Sequence, residues 1–188
     1  MSLKKVGSLL LLCLFFLGCT GKNQELERVR DFRAELLAGM GCSFEAVITA
    51  DYQDALYTFG VSCRSDENGG MTFEVTQPET ISGISGRIDA QGGKLTFDDE
   101  VLAFELMADG QLTPVSAPWL LMSTLRGGYM VSAGHDNGGT RLTIHDSYAQ
   151  DALQLDVWLN NDDLPKYCEI LWQGRRVLSL HIKDFAFV

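Results

Sequence analysis

The sequence predicts a mainly β fold of the α+β class. A curved antiparallel meander of about eleven strands would form a half-open barrel, covered by an N-terminal helix and a mid-chain helix. Three observations predict it. From Cys42 onward apolar residues recur with a period of two, so one face of each segment is greasy. Turn signals such as Asn137-Gly138 and Gly69-Gly70 separate neighbouring segments at hairpin spacing. Only two stretches carry helical spacing, too few to layer over a flat sheet of that size, and so long a meander has to curl or split.

The first helix is read over 25–37. Leu26, Val29, Phe32, Leu36 and Leu37 share one face, and Gly39 and Gly41 stop it. The period then changes to two. Phe44, Ala46 and Ile48 alternate with polar neighbours, as do Tyr57, Phe59 and Val61 after a turn. A tight turn centred on Tyr52-Gln53 sets Ile48 opposite Tyr57, Ala46 opposite Phe59 and Phe44 opposite Val61, with every apolar side chain on one face. The same register sets Cys42 opposite Cys63. In an oxidising compartment the pair could close a disulfide, worth roughly 3 kcal/mol for a loop of about 20 residues. Two buried free thiols are the alternative.

Met71, Phe73 and Val75 make the next strand, which Pro78 ends. Strands over 84–89 and 94–97 are expected to pair with Ile88 across from Leu95 and Asp89 across from Lys94. Asp98-Asp99-Glu100 turns the chain into Leu102, Phe104 and Leu106. Ser116 and Pro118 mark the cap and first turn of the second helix, over 119–126, and Gly127-Gly128 stops it. Strands resume with Tyr129, Val131 and Ala133, then Leu142 and Ile144, then Leu153 to Leu159. A last hairpin turns at Gln173-Gly174. No repeat period or internal domain boundary is visible, so 25–188 reads as one domain.

The N-terminus reads as a lipoprotein signal over 1–18. Lys4 and Lys5 precede a Leu- and Phe-rich run over 9–17, too short to span about 30 Å of hydrocarbon. Phe16-Leu17-Gly18-Cys19 resembles a bacterial lipobox, although Phe16 stands where Leu is usual. That resemblance implies a lipid on Cys19, which becomes the first mature residue, with 19–24 as a short tether. The expected location is therefore extracytoplasmic, lipid-anchored to the bacterial cell membrane. Removing 1–18 leaves thirteen bases against twenty-five acids, a formal charge of −12. Such a surface repels nucleic acid and anionic headgroups.

No catalytic or metal-binding signature emerges, and neither enzyme activity nor a cofactor is expected. Ser82-Gly83-Ile84-Ser85-Gly86 misses the nucleophile-elbow spacing, because Gly86 directly follows Ser85. His135, His145 and His181 are scattered, and the acidic turns lack calcium-loop spacing. Cys168, on an apolar strand face, reads as a buried thiol. The apolar faces remain: Phe44, Ile48, Tyr57, Phe59, Phe73, Leu95, Phe97, Phe104 and Val131 are expected to line the concave side. They would serve either as ordinary core or as walls of a cavity for acyl chains. Trp158 falls on the polar face of its strand, a position that can mark a protein contact.

The layout resembles the LolA/LppX family of bacterial lipoprotein- and lipid-carrier proteins. The local likenesses are residues 44–59, Pro78 through Gly83, Ser116-Ala117-Pro118 before the helix, and Leu164-Pro165 through Ile170. It is also similar to the GerS-type germination lipoproteins of spore-forming Clostridia. The first resemblance implies a hydrophobic concavity that holds lipid or a lipidated protein. The second implies a module that docks and activates a cell-envelope enzyme such as a peptidoglycan amidase. The expected partners are thus the membrane, through the anchor, and a lipid, a lipoprotein or an envelope protein.

Overall fold

Helical spacing does fold the N-terminal stretch as read: α1 runs over Gln24–Ala38, and Val29, Phe32 and Leu36 are its buried residues. The computed structural model describes residues 24–98, 100–108, 111–136 and 139–188. The signal expected over 1–18, Cys19 with its expected lipid, the expected tether to residue 23, Asp99 and the Asn137-Gly138 turn lie outside the described residues.

The strands follow as β1 (Gly41–Asp51), β2 (Leu56–Asp66), β3 (Met71–Gln77), β4 (Ser85–Asp89), β5 (Gly92–Phe97) and β6 (Glu100–Phe104). A two-stranded ribbon, β7 (Met107–Ala108) with β8 (Gln111–Leu112), leads to α2 (Ala117–Gly127). After α2 come β9 (Tyr129–Asp136), β10 (Gly139–His145), β11 (Gln154–Leu159), β12 (Pro165–Trp172) and β13 (Arg175–Phe187). Eleven strands form one antiparallel sheet in the order β6-β5-β4-β3-β2-β1-β13-β12-β11-β10-β9.

Two meanders, β1 to β6 and β9 to β13, are thus joined back to back through β1 and β13. A single meander would have left the first and last strands at the edges. Their inner faces explain the closure: Ala46, Ile48 and Ala50 sit opposite Ile182, Leu180 and Leu178, and all six are buried. Burying that seam at about 25 cal/mol per Å² outweighs a solvent-exposed edge at either strand. The edges fall instead to β6 and β9, whose residues are largely exposed.

The structure corrects two registers. In the first hairpin Ile48 faces Phe59, Ala46 faces Val61 and Phe44 faces Cys63, two places from the tight-turn pairing, so Cys42 lies opposite Ser65. The connection spans four residues rather than two. The Asp51 carboxylate accepts from the Gln53 N–H, Gln53 takes a positive φ of 68°, and the Tyr52 N–H donates to the Ala55 carbonyl. An even shift keeps every side chain on its face, so periodicity could not detect it. In the second case Ile88 faces Gly93 and Asp89 faces Gly92, while Leu95 faces Gly86 and Lys94 faces Arg87. Gly93 belongs to the strand because a Cβ there would lie 2.1 Å from the Phe104 ring. The glycine makes room for an aromatic from β6 rather than widening a turn.

Inside the curve, α1 is held by rings. Phe32 packs against Phe185 and Phe187 at centroid distances of 6.1 and 6.0 Å, and Phe185 stacks on Phe44 at 5.7 Å. Seven of the eleven residues of α2 are buried, so it is a core helix rather than a surface one. Pro118 takes its first turn as expected. Ser116 makes no side-chain cap: its hydroxyl donates to the Thr113 carbonyl at 2.6 Å.

Candidate functional site

The nine residues expected to line a concavity divide sharply. Phe44, Ile48, Phe59 and Phe73 face inward but are buried, filled over as core, and Leu95 and Phe104 are partly covered. Tyr57 and Phe97 share that face at its margins and remain 55% and 46% exposed. Val131 is displaced from it. A register irregularity near Ser132 and Met130 gives the inward place to Met130, which packs on the core, and leaves Val131 half exposed. Four of the nine thus serve as core, one of the two readings the strand pattern left open.

The two expected bridge cysteines are free, buried thiols, and Cys168 is a third. The Cys42 sulfur lies 3.1 Å from the Ser65 hydroxyl and 3.9 Å from the Met122 sulfur. Burial pushes all three thiols up, that of Cys168 with help from Asp156 and Glu169, so none is a thiolate at neutral pH. The thiol count of the denatured protein is expected to be the same with and without prior reduction. A rise on reduction would restore the bridge.

On the outer face of the C-terminal strands, Trp158 is not a free surface aromatic. Its Nε1 donates to Asp136 at 2.7 Å, Tyr167 lies 5.3 Å away, and the Arg141 guanidinium covers it at 5.0 Å. Tyr167 in turn meets His181 at 4.6 Å. Beside this ladder Asp156 is buried, and its carboxylate accepts from Arg141 (2.7 Å), Thr143 (2.6 Å) and Gln154 (3.2 Å). These contacts satisfy one another and read as a structural network.

One open volume lies along α2, toward the β10–β11 loop. A cavity of about 560 Å³ is walled by Leu106, Leu112, Trp119, Leu120, Leu153 and Trp172, with Ser123, Asp146, Ser147 and Asp151 at its rim. Its walls come from the β6–β7 segment, β8, α2, the β10–β11 loop and β12. The Trp119 indole is pinned by donating to the Gly69 carbonyl at 3.0 Å, and the Tyr52 hydroxyl donates to the Leu112 carbonyl. A larger hollow of about 660 Å³ lies on the opposite face of the sheet, where Arg64, Thr72, Glu74, Arg87 and Lys94 give it a polar lining. Of the two, the hollow against α2 has more large apolar side chains in its wall, Trp119 and Trp172 among them, as small-molecule sites do. Leu106, Leu153 and Trp172 were legible as strand positions and Trp119 and Leu120 as helical ones; no spacing showed that they converge.

The molecule is thus an open antiparallel sheet curled around two inner helices, with a hollow against one of them. Comparison with solved structures finds this layout elsewhere at low identity. A LolA superfamily protein from Nitrosomonas europaea shares 9% identity, with a TM-score of 0.45 over 87% of this chain and 93% of that one. The lipoprotein LppX of Mycobacterium tuberculosis shares 12% identity, with a TM-score of 0.40 over 86% and 93%. The Clostridioides difficile structure of the CwlD amidase in complex with the GerS lipoprotein matches at 13% identity and a TM-score of 0.42, over 90% and 98%. No family model and no curated protein matches the sequence. At these values nothing about ligand or partner passes to this chain.

Proposed function

We propose that this protein is a non-catalytic envelope lipoprotein, anchored through Cys19, that binds the apolar part of a lipid or of a lipidated protein in the cavity beneath α2. The observation that carries this reading is the cavity itself, about 560 Å³ with an apolar wall that the protein's own side chains leave unfilled. Water in such a hollow finds few partners, so an apolar chain displaces it favourably. None of the described helices is long and apolar enough to cross a membrane.

Two experiments test this. Lipids extracted from the purified protein are expected to include co-purified acyl chains, and Ala152→Trp, at the cavity wall, is expected to lose them while keeping the native melting transition. An empty cavity in the parent protein, purified without detergent, would overturn the reading. Separately, Cys19→Ala is expected to move the protein from the membrane fraction to the soluble one; full retention would refute the anchor.

A second reading has its own support. The expected concavity is packed solid around Phe44, Ile48, Phe59 and Phe73, and β6 exposes Val101 and Leu102 along an unpaired edge. An unpaired apolar edge can accept a partner strand. On this reading the scaffold docks and activates a cell-envelope enzyme such as a peptidoglycan amidase. A specific enzyme retained in a pull-down, active only with both chains present and with no acyl chain found, would favour it.

A further inference from the structure

We infer that the ligand of the cavity beneath α2 carries a cationic head, an ammonium group on a single apolar chain, selected by Asp146 and Asp151. The inference rests on the cavity being the ligand site. Among the described residues its lining contains no Lys, Arg or His, and its only charged side chains are these two carboxylates, both exposed. Two indoles, Trp119 and Trp172, stand in the same wall, and an indole face attracts an ammonium more than any other side-chain ring does. The volume suits one drug-sized ligand, hence one chain rather than a several-chain lipid.

The carboxylates are placed by the fold. The Asp146 N–H donates to the Leu153 carbonyl at 3.1 Å, and its Oδ1 accepts from the Leu153 N–H at 2.9 Å. This closes the β10–β11 loop and leaves Oδ2 for a ligand. Asp151 sits on the same loop and is exposed. The cation on the far side of Asp146 is Arg33, which shares a neighbouring hollow with it. Arg33 keeps its charge but is turned to the Arg126 carbonyl, to which its Nε and Nη2 donate at 3.2 and 2.7 Å, and it does not line the cavity. A fatty-acid carboxylate at this rim would meet two like charges, whereas an ammonium would meet two opposite ones.

The test compares three probes of equal chain length below their micelle thresholds: decyltrimethylammonium, decanoate and decyl maltoside. Binding to the purified protein is read by calorimetry and tryptophan fluorescence at about 0.15 M salt, where charges beyond roughly 8 Å are screened. Decyltrimethylammonium is expected to bind at least about tenfold more tightly than decanoate. Asp146→Asn with Asp151→Asn should abolish that preference and leave decyl maltoside binding in place. Neutralising two exposed acids elsewhere, Glu79→Gln with Glu100→Gln, should preserve the preference. Equal affinities in the parent protein, or loss of the preference in the Glu79/Glu100 variant alone, would overturn the inference and leave the cavity reading standing. Failure of all three probes to bind would overturn the cavity reading itself.

Discussion

Replacing Phe32 by alanine is expected to lower the unfolding free energy by about 3–5 kcal/mol, the range for deleting a buried aromatic. Phe32 is the hub through which α1 meets Phe185 and Phe187, and through Phe185 it reaches Phe44 on β1. Val29 and Leu36 alone cannot close the hole, because they lie one turn to either side on the same face. Urea unfolding of parent and variant gives the value, and a midpoint shift with an unchanged slope identifies it as a stability effect. A loss below about 1 kcal/mol would mean that the site collapses around the missing ring.

Asp156→Ala is expected to destabilise by about 2–3 kcal/mol. The substitution removes the acceptor shared by Arg141, Thr143 and Gln154 on a strand whose inner face is packed. The effect stays below that of a fully buried ion pair because the Arg141 side chain is 43% exposed and can turn to water. Asp156→Asn, which keeps an acceptor, should lose roughly half as much. If the asparagine and alanine variants unfold together, the carboxylate charge rather than its hydrogen bonds holds the network.

How much of this was readable in advance differs from element to element. The face of nearly every strand was, because a period of two assigns a side chain to one side whatever its partner. The partner was not. Cys42 sits opposite Ser65 because Asp51 and Gln53 build a four-residue turn, and Gly93 lies inside β5 because the Phe104 ring needs its space. Both shifts are even, so the hydrophobic pattern is blind to them. The cavity was less legible still. Leu106, Trp119, Leu153 and Trp172 come from separate segments, and no spacing along the chain records that they converge.

By itself, then, the chain's order of residues determined the class of fold, the two helices, the inward face of nearly every strand and an acidic surface. These are local or compositional properties, each set within a few residues of backbone period or by a sum over the chain. Tertiary structure decided that β13 returns beside β1, that Phe44, Ile48, Phe59 and Phe73 are buried as core, and that an apolar-walled hollow lies against α2. Those outcomes depend on which apolar surfaces meet at long range and how well they fill space. That is a matter of packing between distant segments.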